Sequence, residues 1–248
     1  MGRLTETVKI LIILNVLFFG AKLFNPEFMD RMFSLYYFEN PNFNVWQPVT
    51  HMFMHGDIMH ILFNMFGLYM FGSPLEKVWG RNKFIFFYFS AGLGAALIHS
   101  LVGYFHVHQG IDVLLSLGES KLTIMEMLSN TTGEGSYRAI EAVGLDVESF
   151  FSSWNVPALG ASGAVYGVLV AFGLMYPNTG LMLIFFPVPI KAKYFIPGIL
   201  IMDIVGGLTG NSILGQNIAH WAHIGGALFG FIMAYYWKKN SMDNTRWD

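Results

Sequence analysis

Residues Ala219–Gly230 read Ala-His-Trp-Ala-His-Ile-Gly-Gly-Ala-Leu-Phe-Gly, within an apolar run from about Asn217 to Trp237. A run of ~20 apolar residues is long enough to cross a bilayer. Imidazoles are costly there and need a reason. Gly226 and Gly230 form a GxxxG pair, and helical geometry puts His223 within about 60° of both. His223 therefore belongs to the face that a neighbouring helix can approach most closely. A matching face lies upstream in Gly160-Ala161-Ser162-Gly163-Ala164-Val165-Tyr166-Gly167. Pro157 and Gly160 suggest a loop that turns into a helix at this point. Ser162 then sits in the first turn, where backbone N–H groups are free and the helix dipole is positive. Tyr166 lies one turn further on the same face. Taken singly, Ser162 is equally well an N-cap or a packing residue. Taken with His223, it makes a nucleophile–base pair plausible.

Composition agrees with a membrane chain. Of 248 residues, 54% are hydrophobic and 12% charged, with mean hydropathy +0.49; soluble domains carry about 25% charged residues. The apolar content excludes disorder. With no cysteine, disulfide staples, thiolate metal sites and thiol nucleophiles are excluded. A net charge of −2 gives no basic excess for nucleic acid.

Six spans are expected: Val8–Phe24, Ile58–Val78, roughly Phe84–Tyr104, Ala161–Tyr176, about Tyr194–Leu208 and Asn217–Trp237. The first reads as an uncleaved anchor, because Gly20-Ala21-Lys22 is a poor cleavage site. Leu181–Pro189 is too short to span and reads as an extended, interfacial or re-entrant loop. Residues 105–157 read as an acidic extramembrane insert in an otherwise single domain covering 1–248. Short helices are expected around Leu122–Ser129 and Tyr137–Val143. Phe150, Phe151 and Trp154 are expected to dip into the interface, and Trp79, Trp154 and Trp237 to form an aromatic belt. No fixed-period repeat is present.

Six spans put both termini on one side. That side collects Arg3, Lys9, Lys77, Arg81, Lys83, Lys191, Lys193, Lys238, Lys239 and Arg246. The other side has Lys22, Arg31, Lys121 and Arg138. The positive-inside rule makes the first side cytoplasmic. A bacterial cytoplasmic membrane is the expected residence, with the lipid bilayer and membrane-protein substrates as partners.

His60 and Asn64 in the second span lie about 40° apart on one helix face. They read either as interhelical glue or as donors for chemistry. Asp203 is the only carboxylate deep in an expected span, and a helix–helix hydrogen bond is its simplest role. No intramembrane carboxylate obviously orients His223, which favours a dyad over a triad.

Together these pieces resemble the rhomboid intramembrane serine proteases. The resemblance rests on His51-x-x-x-His55, His60-x-x-x-Asn64, Gly160-Ala161-Ser162-Gly163 and Ala222-His223-x-x-Gly226-x-x-x-Gly230, in that order. Trp46 and Glu76-Lys77-x-x-Gly80 also look like the family's first-loop region. The resemblance covers nearly the whole chain except the insert. It implies an all-α six-helix membrane fold and a Ser–His dyad with Ser162 as nucleophile and His223 as base. It implies an oxyanion hole from His60, Asn64 and the Ser162 N–H, with Tyr166 packed on the His223 ring. It implies cleavage of transmembrane substrates near small, helix-destabilised sites, without a cofactor or metal.

Two features depart from the family pattern. Gln47 follows Trp46 where many rhomboids have arginine, and the insert precedes Ser162. The insert either tunes substrate access or is a tolerated surface loop. His51, His55 and Asn44 are expected to line a water path. A rival reading makes His51, His55, His60, His220 and His223 a metal site in an enzyme or transporter, though no HExxH is present. On one helix, His55 and His60 would lie about 140° apart. A third reading is a non-catalytic helix-binding relative, which the presence of both Ser162 and His223 disfavours.

Overall fold

The computed structural model describes residues 3–129, 147–183, 186–210 and 219–240. The first helix, α1 (Glu6–Phe24), is followed by α2 (Pro26–Phe33) and a loop holding the short α3 (Gln47–Thr50) and a 3₁₀ turn at His51–Phe53. Next comes α4 (Ile58–Trp79), one continuous helix with a π-helical stretch at Leu68–Gly72. The long α5 (Arg81–Ser116) leads to α6 (Lys121–Ser129) and α7 (Val147–Asn155). Then follow α8 (Ser162–Met175), a two-stranded hairpin of β1 (Gly180–Leu183) and β2 (Phe186–Lys191), α9 (Ala192–Thr209) and α10 (His220–Asn240).

Among the described residues, four helices are long and apolar enough to cross a membrane: α1, α4, α5 and α9. The other two expected spans fall short of that standard for separate reasons. At 14 residues, α8 extends only about 21 Å against a hydrocarbon core of ~30 Å. The 21-residue α10 is diluted by His220, His223, Lys238, Lys239 and Asn240.

The third expected span also changes. Instead of ending near Tyr104, α5 runs 36 residues, about 54 Å, so its last turns extend into what composition marks as insert. There, Val107 and Leu114 join Ile124 and Leu128 of α6 and Phe150, Phe151 and Trp154 of α7 in a second small core. Phe150, Phe151 and Trp154 are thus buried in protein rather than offered to the interface. Tyr37 of the α2–α3 loop belongs to the same cluster, and Asn40 Nδ2 donates to the Trp154 carbonyl at 2.7 Å. The helix expected at Tyr137–Val143 lies outside the described residues. Within the stretch expected to be extended, residues 181–183 lie on β1 and 186–189 on β2, and the two strands pair antiparallel, Gly180 with Lys191 and Leu181 with Ile190.

The main core gathers Phe84, Phe87 and Tyr88 of α5, Leu68 and Leu75 of α4, and most of α8. Almost all of α8 is buried, from Gly163 to Phe172. An apolar helix enclosed on all sides belongs at the centre of a bundle. Glu76, near the end of α4, ties that helix to the start of α1. Its carboxylate accepts the Thr5 hydroxyl and the backbone N–H groups of Thr7 at 3.0 Å and Val8 at 3.1 Å. A carboxylate at a helix N-terminus satisfies orphan donors and complements the dipole. Trp79 and Trp237 stack edge to face at 5.2 Å, with the Lys83 ammonium 4.4 Å from the Trp237 ring centre.

Candidate active site

The segment before α8 is fixed from two sides. Leu35 and Ala158 exchange backbone hydrogen bonds at 2.8 and 2.9 Å, and the Gly160 N–H donates to the His51 carbonyl at 2.9 Å. Gly160 has φ +125°, a conformation natural to glycine. A Cβ there would lie 2.8 Å from His60 Nε2 and 3.5 Å from Ser162 Oγ. The chain then enters α8 at Ser162.

Across from it, α10 approaches α8 almost backbone to backbone. A Cβ on Gly226 would lie 1.9 Å from the Gly163 carbonyl oxygen, and one on Gly230 would lie 2.5 Å from Gly167 Cα. This closeness brings the two polar residues together. Ser162 Oγ and His223 Nε2 are 2.9 Å apart, within the range for proton transfer. The Tyr166 ring stacks on the His223 ring with centroids 4.1 Å apart and planes 14° apart.

The expectation that no carboxylate orients His223 is corrected. Asp203 of α9 is fully buried, and its Oδ1 accepts from His223 Nδ1 at 3.0 Å and His220 Nδ1 at 2.7 Å. Sequence reasoning had recorded Asp203 as the one deep carboxylate but had assigned it no partner. The signal was available in His220, three residues before His223. Only the packing of α9 on α10 brings the three side chains together.

Two of the expected oxyanion donors, His60 and Asn64, lie on α4, and the third, the Ser162 N–H, opens α8. His60 Nδ1 accepts from the Gly56 N–H at 3.3 Å, and Nε2 faces the Gly160 backbone. Asn64 Nδ2 donates to the His60 carbonyl at 2.9 Å, committing one of the two N–H bonds that an amide carries.

Of the residues expected along a water path, His51 lies beside the nucleophile. His51, Gly160, Ser162, Gly163 and Ala219 share the lining of a cavity of about 10 Å³, roughly the room of one water molecule. Neither His55 nor Asn44 lines it. His55 is fully buried, and Asn44 Nδ2 donates to the Asn42 carbonyl at 3.1 Å. The His55 and His60 rings meet edge to face at 4.9 Å. The 140° separation fails because α4 begins only at Ile58, leaving His55 in the preceding loop. Burial there lowers the His51 pKa to about 4, against the smaller opposing effect of the Gln47 carbonyl. Burial and the neighbouring His60 lower that of His55 to about 3. Among the described residues, no three His, Asp or Glu side chains are grouped to hold a metal ion.

Gln47 is fully buried and crosslinks its own loop. Its Oε1 accepts from the Tyr36 N–H at 3.2 Å, and its Nε2 donates to the Asn42 carbonyl at 2.9 Å and the Arg31 carbonyl at 3.1 Å. The Trp46 indole N–H donates to the Met32 carbonyl at 2.8 Å. The loop is thus held by an amide.

Comparison with known proteins gives one consistent answer. The family model described as Rhomboid domain matches residues 42–120 and 104–240. An uncharacterised mitochondrial rhomboid protein of Schizosaccharomyces pombe is 27% identical, covering 79% of this chain and 53% of the relative. RHOMBOID-like protein 12, mitochondrial, of Arabidopsis thaliana is 28% identical, covering 83% and 50%. The human presenilin-associated rhomboid-like protein, mitochondrial, is 27% identical, covering 93% and 48%. The chain spans about half the length of the curated relatives it matches. These relatives are mitochondrial by name, so a bacterial cytoplasmic membrane finds no support among them. With the matched region running from residue 42 to residue 240 and including Ser162 and His223, this chain belongs to the rhomboid family of integral membrane proteins.

Proposed function

We propose that this chain is an intramembrane serine endopeptidase that cleaves transmembrane segments of membrane proteins. One observation carries the proposal: the 2.9 Å approach of Ser162 Oγ to His223 Nε2 between two closely packed helices. A serine hydroxyl is a weak nucleophile until a base takes its proton. As the Ser162 Oγ–carbon bond forms, the proton passes to His223 Nε2. The peptide C–N bond then breaks and the leaving amine takes that proton. Water repeats the sequence on the acyl-enzyme and returns the proton to Ser162. His60 Nε2, the Ser162 N–H and the second Asn64 N–H are the donors proposed for the oxyanion. Such a donor is worth about 2.7–4 kcal/mol in soluble proteases.

The architecture proposed is six-span, with α8 and α10 completing the four long apolar helices. Both termini then lie on the lysine- and arginine-rich side, which the positive-inside rule makes cytoplasmic. Substrates reach the site from the lipid. The insert core, joined to the α2–α3 loop through Tyr37 and Asn40, is proposed to tune their access.

The test is cleavage of a generic transmembrane substrate by detergent-solubilised protein. Wild type, Ser162→Ala and His223→Ala are compared, each with and without chelator. Cleavage lost in both variants and indifferent to chelator supports the serine mechanism. Cleavage that survives in Ser162→Ala but is lost with chelator overturns it in favour of the histidines as metal ligands.

A further inference from the structure

A carboxylate buried at membrane depth is costly unless donors surround it. One oxygen of Asp203 accepts from two imidazoles, His220 Nδ1 at 2.7 Å and His223 Nδ1 at 3.0 Å. A carboxylate oxygen only accepts, so each imidazole donates from Nδ1. That choice leaves His223 Nε2 as the bare acceptor facing Ser162 Oγ at 2.9 Å. A simple clamp between α9 and α10 needs only the shorter His220 bond. The second bond goes to the one side chain whose tautomer matters for proton transfer.

His220 is itself seated. One turn beyond Asp203, Gly206 has no side chain, and a Cβ there would fall 2.6 Å from His220 Nε2 and Cε1. Asp203 and Gly206 thus form a socket on α9 for the His220 ring. The titratable groups facing this cluster are Tyr166 from α8, which also interacts with the Asp203 carboxylate, and His60 from α4, which faces His223.

The geometry assigns Asp203 as the positioning residue of His223, extending the pair to Ser162–His223–Asp203, with His220 holding the carboxylate in place. This rests on the serine-protease reading above. Asp203 takes no proton in the cycle. It fixes the Nδ1–H tautomer before attack, and its negative charge faces the imidazolium while Nε2 carries the serine proton.

The experiment measures kcat and KM for a transmembrane substrate, the rate of Ser162 labelling by a fluorophosphonate, and Tm. The proteins are the full chain and its Asp203→Asn, His220→Phe and Ser162→Ala variants. Asp203→Asn is expected to lower kcat and the labelling rate at least about 100-fold, with KM within about twofold, as the loss of a triad aspartate does elsewhere. His220→Phe is expected to lower kcat about tenfold, again with little change in KM. A folded Asp203→Asn with kcat within about threefold of wild type overturns the assignment and returns Asp203 to a helix clamp. A kcat loss matched by a comparable loss of Tm, with labelling per folded molecule unchanged, overturns it too. If Asp203→Asn does not accumulate in folded form, His220→Phe decides: reduced kcat and labelling at wild-type Tm support the proposal, and unchanged kcat overturns it. Cleavage that persists in Ser162→Ala is a separate result, which overturns the serine reading itself.

Discussion

Gly226 meets Gly163 so closely that a Cβ on Gly226 would lie 1.9 Å from the Gly163 carbonyl oxygen. No side-chain rotation relieves a clash with backbone, so Gly226→Ala must push α10 away from α8. Overpacking of this kind costs about 1–3 kcal/mol. The catalytic cost is larger, because His223 rides on α10 one turn away. A displacement of about 1 Å can lower kcat about 100-fold. The expected outcome is a folded protein with a lower Tm and little or no cleavage. A Gly226→Ala variant with wild-type kcat would show that Ser162–His223 geometry does not depend on this contact.

How much of this was legible in the sequence depends on how local the signal was. The small faces at Gly163/Gly167 and Gly226/Gly230 could be read because each lies on one helix with a fixed period. The His223 neighbourhood could be read only in part. Its pairing with Asp203 depends on how α9 crosses α10, and no spacing within either helix encodes that crossing. The placement of His55 failed for a related reason. The helix start at Ile58, capped by Asp57 through a 2.8 Å bond to the His60 N–H, puts His55 in a loop that folds back onto His60. The burial of Phe150, Phe151 and Trp154 was missed because composition alone does not distinguish an interfacial aromatic from one that closes a small core.

Gly160 answers to two constraints at once, its φ of +125° and the nearness of His60 Nε2. Alanine there must strain its backbone and press on His60. Residues held in such regions cost about 1–3 kcal/mol. Gly160→Ala should lower kcat more than about tenfold through His60, while KM changes little. Steady-state kinetics on a transmembrane substrate would check it; a change confined to KM would place the effect in substrate binding instead.

Gln47 makes three hydrogen bonds from a fully buried position. Its removal orphans the Tyr36 N–H and the Arg31 carbonyl and leaves the Asn42 carbonyl with the Asn44 bond alone. Gln47→Ala should therefore destabilise the protein by about 3 kcal/mol, on the usual cost of unsatisfied buried groups. Thermal or SDS-induced unfolding measures this directly. Gln47→Glu keeps the acceptor for Tyr36 but turns an anionic oxygen on the Arg31 and Asn42 carbonyls, and should be no more stable than alanine. Equal stability of all three proteins would mean the loop contributes nothing to the fold.

Acid sensitivity follows from the two histidines ahead of α4. Burial lowers the pKa of His51 to about 4 and that of His55 to about 3, against 6.5 in an unfolded chain. His99 faces His51, while His60, Lys22 and Asp57 surround His55. Below pH 6.5 the unfolded chain takes up protons that the folded protein refuses. Stability is therefore complete above that pH and declines as the pH falls toward 4 and then 3. Tm in detergent should be level from pH 8 to about 7 and drop steadily between about 6.5 and 4. His55→Phe removes one titrating group and keeps a flat ring against His60, so its Tm should fall less steeply over the same range. A slope that His55→Phe leaves unchanged would assign the acid response to groups other than His55.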